Sequence, residues 1–226
     1  MNKNLFRHSL IGLLERNLIT NKEIDDELYK DYLSIERLWW SNFDNFGSIK
    51  LVLIGESPLS SRRYIYNKDN DAKDSAFLLI EDLKECLRKS GKKPIDLKSK
   101  GKMEAMLDLG LLVLDMFPFA FNSETKFNYQ NIDQEHLKLT KKPVILMPDK
   151  EYKELLKDLY FKSYSWHLSS KVKKIMSKVR ADTIYAYRYK RSAKLELDVF
   201  PKIQPTCLGG KAYGINKEKL YEIFNK

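Results

Sequence analysis

Residues 51–54, Leu-Val-Leu-Ile, form an unbroken apolar run that stops at Gly55 and turns polar at once in Glu56-Ser57-Pro58. A run this short and this apolar marks a strand covered on both faces, as in a parallel sheet. In open α/β sheets ligands settle in the crevice beyond the carboxyl ends of the strands. Chemistry is therefore expected after Ile54, at Glu56, Ser57, the rigid Pro58, Arg62, Arg63, Tyr64 and Tyr66. Residues 111–122, L-L-V-L-D-M-F-P-F-A-F-N, repeat the design: an apolar run, then Asp115, then aromatics around Pro118. The two segments are expected to be neighbouring strands that deliver side chains to one pocket.

The flanking sequence supplies helices. Helical spacing covers residues 4–17 through Leu5, Leu10, Leu13 and Leu14, and residues 21–43 through Ile24, Leu28, Tyr32 and Leu33, with Asn21 as the expected N-cap. Trp39 and Trp40 are expected to pack this N-terminal helical pair (residues 1–45) on the sheet, given the area a Trp buries. Phe77, Ile80, Leu83 and Leu87 mark an amphipathic helix ending near Ser90 and Gly91, and another spans 97–109. Residues 123–180 read as a helical expansion. It holds a short strand at 144–147, a helix through Tyr152, Leu155, Leu156 and Leu159, and a helix capped by Ser169 or Ser170 that ends near Arg180. Strands are expected at 181–190 and 195–200, and Asn216 caps a final helix. Helices alternating with short apolar strands imply a single α/β domain over residues 1–226, with a parallel-rich sheet and helices on both faces.

Charge bears on the partner. Forty-one Lys and Arg against 31 Asp and Glu give a net charge of +10. That excess favours a polyanionic partner, because Lys and Arg neutralising phosphates supply most nonspecific nucleic-acid affinity. Cys86 and Cys207 are the only cysteines and stand in no metal-type spacing, which points to a reducing compartment and away from a cysteine-held zinc or iron–sulfur site. The first residues are broken by charge and do not resemble a signal peptide, and no apolar run reaches the length of a membrane span. A cytoplasmic or nucleoid-associated protein with no membrane contact is expected.

Glu56 and Asp115, each just past an apolar strand, are the only acids whose expected positions converge. A carboxylate there can orient water, accept hydrogen bonds from a base or stabilise a developing cation. Ser57 lacks the second glycine of a nucleophile elbow and a placeable histidine, which argues against a hydrolase triad. No P-loop or dinucleotide-binding glycine motif occurs. His167 is the one histidine in chemically interesting company, and Gly209-Gly210-Lys211 is a weak anion-binding signal. Tyr64 and Tyr66 beside Arg62 and Arg63 combine cations for phosphate with aromatic faces for a base.

These residues carry a resemblance. Gly55-Glu56-Ser57-Pro58 followed by Arg63-Tyr64-Ile65-Tyr66-Asn67 resembles the uracil-DNA glycosylase-like superfamily, in particular divergent members with E-S-P-P and then R-Y-F-Y-N. Leu111 to Asn122, with Asp115, Pro118 and Asn122 in place, is similar to the family's second motif. Phe200-Pro201 through Gly209-Gly210 and Leu220 is similar to its last loop and terminal helix. The resemblance implies a three-layer α/β/α sandwich around a central, mostly parallel four-stranded sheet. By position it puts Glu56 and Ser57 in the water-handling loop and Tyr66 or Tyr64 as the stacking platform. Asp115 falls at the base-reading position, within a base pocket completed by Gly55, Pro58, Phe117 and Asn122. Arg62, Arg63, Lys202, Gly209, Gly210 and Lys211 would contact DNA. It implies a monomeric enzyme that uses neither metal nor organic cofactor and cleaves the N-glycosidic bond of a damaged or unusual base, on damaged or single-stranded DNA. Ser57 stands where the best-known members carry an acid, and Asp115 where they carry asparagine. A noncatalytic nucleic-acid or nucleotide-binding module, or a hydrolase of free nucleosides, therefore stays open beside the glycosylase.

Overall fold

The computed structural model describes residues 3–16, 18–58, 61, 64–68, 80–92, 97–118, 127–129, 145–147, 149–210 and 215–225. The chain opens with helices α1 (Lys3–Ser9) and α2 (Ile11–Glu15). A continuous helical rod follows, made of α3 (Asn21–Glu23), a π-helical turn (Ile24–Leu28) and α4 (Tyr29–Phe43). Its cap is Thr20, not Asn21. The Thr20 hydroxyl accepts from the Glu23 backbone N–H, and the Glu23 carboxylate accepts from the Thr20 N–H, a reciprocal pair that Asn21 could not form from one position further along.

Strand β1 (Ile49–Gly55) comes next, then α5 (Ile80–Lys89), α6 (Leu97–Leu109, broken at Gly101, where φ is 69°) and β2 (Leu111–Asp115). Short strands β3 (Phe127–Tyr129) and β4 (Ile145–Met147) pair in parallel as a separate two-stranded sheet. Helices α7 (Asp149–His167) and α8 (Ser169–Met176) lead to β5 (Val179–Tyr187). The last elements are α9 (Lys190–Ala193), β6 (Thr206–Cys207) and α10 (Lys217–Phe224), whose cap is Asn216 as expected. Neither Ser169 nor Ser170 caps α8. Leu168 holds that place without a side-chain bond, and the helix ends at Met176, ahead of the expected Arg180.

The main sheet has four strands in the order β2-β1-β5-β6, and every pairing is parallel. The fold is α/β. Every residue of β2 is buried, as are all of β1 except Lys50, which is why both read as apolar runs without alternation. The expected strand at 195–200 does not form; Glu196 there takes a left-handed backbone, φ 54°. Helices α1 and α2 pack on α7, and α5 packs on α6 and α10. Trp39 of α4 lies against the sheet and donates its indole N–H to the Val113 carbonyl at 3.1 Å. Among the described residues no helix is long and apolar enough to cross a membrane.

Candidate active site at the carboxyl ends of the strands

The register of β1 on β2 sets Gly55 directly opposite Asp115. The pairing continues past the strands, with Met116 N–H donating to the Gly55 carbonyl at 3.1 Å and Phe117 N–H to the Glu56 carbonyl at 2.9 Å. Glu56 and Asp115 thus emerge side by side from adjacent strand tips, and both are buried. Gly55 makes the neighbourhood possible. A Cβ at that position would stand 2.3 Å from Asp115 Oδ1, so only a glycine lets the carboxyl group lie across β1.

Each acid is gripped. Glu56 Oε2 accepts from the Ser192 hydroxyl of α9 at 3.2 Å. Asp115 accepts from the Tyr64 hydroxyl. Burial pushes the Asp115 carboxyl up to about 6; the Arg188 and Lys171 charges and the Tyr64 bond pull it down, and the nearby Glu56 pushes it up. Near neutrality Asp115 therefore exchanges between an acceptor-only carboxylate and an acid that also donates. Tyr64 is itself raised well above its ordinary value, first by burial and then by Asp115, so it stays a donor.

The two tyrosines divide in role. Their rings meet edge-on at 5.4 Å. The Tyr66 hydroxyl donates to the Val113 carbonyl at 2.8 Å and accepts from the Val113 N–H at 2.7 Å, so it occupies both backbone groups of a β2 residue; the ring is 1% exposed. Tyr64, whose hydroxyl reaches Asp115, is the tyrosine of the pair tied to the acids. Pro58 and Phe117 are buried beside them and Ser57 is half-buried. Lys202 is exposed, with φ 67°, and Gly209 and Gly210 are half-buried on the loop after β6. Arg62, Arg63, Asn122 and Lys211 lie outside the described residues.

Behind Asp115 stands a second cluster that the strand-end motifs do not announce. His167, the last residue of α7, is 2% exposed and faces the Asp115 carbonyl through Nε2 at 3.1 Å. A carbonyl only accepts, so Nε2 carries a proton; Nδ1 lies between the Glu36 carboxylate at 3.3 Å and the Lys171 ammonium at 3.4 Å. Burial first, and then the Lys171 charge, hold His167 below its ordinary value, against the Glu36 carboxylate and the Asp115 carbonyl, which raise it. Lys171 of α8, also 2% exposed, is bound to Glu36 of α4 and lies 5.2 Å from the centre of the Trp39 ring. Burial alone would raise Glu36, but Lys171 and His167 together bring it down to about 2. The sequence does hold a faint sign of this pair. Glu36 sits four residues after Tyr32 and three before Trp39, and Lys171 sits four before Ile175, so both are charges placed on buried helical stripes.

Arg188 falls in residues 181–190, which read simply as a strand, and Ser192 falls between the two expected strands, so neither is singled out by the sequence. Among the described residues no three His, Cys, Asp or Glu side chains are grouped as a metal site. No protein-family model, no curated protein and no solved structure matches the chain.

Proposed function

We propose that the protein is a DNA glycosylase of the three-layer uracil-DNA glycosylase-like build, one that holds an unusual base out of the stack and hydrolyses its N-glycosidic bond. The observation that carries this reading is the acid pair: register places Glu56 and Asp115 on neighbouring strand tips, buried, with different partners. Two carboxyl groups in unequal surroundings are how one site supplies a base and an acid together. In the proposed step Glu56 orients a water and accepts its proton as the water oxygen bonds to the sugar C1′. The C1′–N bond breaks, its electron pair leaves with the base, and protonated Asp115 delivers a proton to the departing ring. Protonated Asp115 also presents one donor and one acceptor, the pattern of an asparagine amide, to the edge of a bound base. A monomeric, cytoplasmic repair protein acting on DNA is the cellular form of this reading.

A second reading, a module that binds nucleic acid without cleaving it, is favoured by one observation. Tyr66 is sealed and spends its hydroxyl on Val113, and Tyr64, 3% exposed, spends its own on Asp115, so both tyrosines expected to stack a base are committed within the core. The test is a panel of DNA substrates carrying uracil, hypoxanthine, xanthine or ethenoadenine under single-turnover conditions, with released base detected by mass spectrometry. Release from at least one, lost in Glu56→Gln and reshaped in its pH dependence by Asp115→Asn, is expected. Binding with no release from any substrate would leave the noncatalytic module.

A further inference from the structure

Seven residues after β5, Arg188-Tyr189-Lys190-Arg191-Ser192-Ala193-Lys194, contain four cations and no acid. They leave the sheet at its carboxyl end, beside the acid pair. Arg188 N–H donates to the Ile54 carbonyl at 2.9 Å, one residue before Gly55, and Ser192 reaches Glu56. Arg188 is half-buried, its guanidinium lies 4.3 Å from the centre of the Tyr189 ring, and its charge bears on Asp115. Lys190 and Lys194 are exposed. At Leu195, 2% exposed, the chain turns inward, and the next acids, Glu196 and Asp198, come only after that turn.

The loop after β6 closes on the same segment. Leu208 N–H donates to the Tyr187 carbonyl at 2.9 Å. Gly209 then passes so close that a Cβ there would stand 2.7 Å from the Lys190 backbone nitrogen and 3.3 Å from the Arg188 carbonyl. The Gly-Gly turn and the basic turn are therefore one continuous rim, assembled from the ends of β5 and β6 and tied by Ser192 to Glu56.

We infer that this rim, with Lys190 and Lys194 outward and Gly209 as its joint, is a phosphodiester-binding surface that seats the nucleic-acid backbone next to the acid pair. The inference rests on the nucleic-acid reading above and adds the element that takes the phosphates. Exposed lysines on a short turn act as point charges toward phosphate. They fix position along the backbone and say nothing of sequence, so each should contribute to the salt dependence of binding and not to base preference. The close joint at Gly209 makes a second demand, because the rim has this shape only while the two turns touch.

The test measures binding of the full-length protein to a labelled single-stranded oligonucleotide and to its duplex across a salt series. Lys190→Gln with Lys194→Gln should weaken binding about tenfold at low salt and reduce the slope of log K against log salt by about 1 to 2, since each phosphate contact contributes roughly 0.7 to 0.9. Lys173→Gln with Lys174→Gln removes the same charge from exposed positions on α8 and should leave the slope as it was. Gly209→Ala removes no charge and should still weaken binding. Equal losses in the two lysine pairs, or no loss in the first, would overturn the rim; so would wild-type affinity in Gly209→Ala. If the unmodified protein binds neither oligonucleotide, the rim and the glycosylase fall together. If it binds with the expected slope but releases no base, only the chemistry falls.

Discussion

The ion pairs on α5 and the ion pair between α4 and α8 are built from similar side chains and do different work. On α5, Glu81 meets Lys84 and Glu85 meets Arg88 at helical spacing, all reaching into solvent. Water already solvates such charges, and a pair of this kind changes little when it forms. Glu36 and Lys171 lie 135 residues apart in the chain and are largely withdrawn from water, 16% and 2% exposed, with His167 wedged beside them. Taking both charges out of solvent is costly, so the pair lends little net stability over an apolar replacement, yet losing one member strands the other. The buried set therefore acts as a positioning device: it holds His167 on the Asp115 carbonyl, and so the tip of β2, in one place.

Breaking that device should move stability most. Lys171→Met leaves Glu36 buried without a counter-charge and should cost about 3–5 kcal/mol in urea unfolding, while adding Glu36→Leu should restore most of the loss. The unmodified pair also has an acid signature. Glu36 is ionised down to about pH 2 when folded and to about 4.5 when unfolded, so its contribution is present above 4.5 and lost as pH falls toward 2. Asp115 has the opposite sign. Its folded form keeps a proton up to about pH 6 and its unfolded form only to 3.8, so stability falls as pH rises between those values. Asp115→Asn should abolish that slope and stabilise the protein at neutral pH by about 2–3 kcal/mol, read from melting across a pH series.

Tyr66→Phe should cost about 1–3 kcal/mol, because it strands the Val113 N–H in the core, and hydrogen exchange at Val113 should speed up. At the small end, Arg88→Ala should leave the melting temperature where it was; a clear drop would erase the contrast between the two sets.

The parts of the fold visible in the sequence are those specified by neighbours along the chain. β1 and β2 are runs of residues covered on both faces, and their acids follow within one or two residues, so the strand-tip pair was legible. Residues 195–200 misled for a related reason. Leu195, Leu197 and Val199 are buried and Glu196 and Asp198 exposed, the alternation of a strand, but tyrosine hydroxyls take the place of a partner strand. Tyr187 donates to the Leu197 carbonyl and Tyr160 to the Asp198 carbonyl, each at 2.9 Å. The Glu36–Lys171 contact and the Ser192–Glu56 contact join residues more than a hundred positions apart, and no local pattern encodes which distant charge or hydroxyl will arrive. Leu33 was expected on the buried face and is 39% exposed.

The same rod carries a widened turn at Ile24–Leu28. The residues facing inward along the rod are Ile24, Leu28, Tyr32, Ile35, Trp39 and Phe43. From first to last is 43 − 24 = 19 steps, which in a regular helix amounts to about 1,900° of rotation, or about 100° beyond five full revolutions. The π turn absorbs that excess, keeping both ends of the rod in phase and aiming Glu36 at Lys171. Removing one residue from 24–28 should therefore be far better tolerated, by melting, than removing one from 30–42, where the same excision would swing the acid away from its lysine.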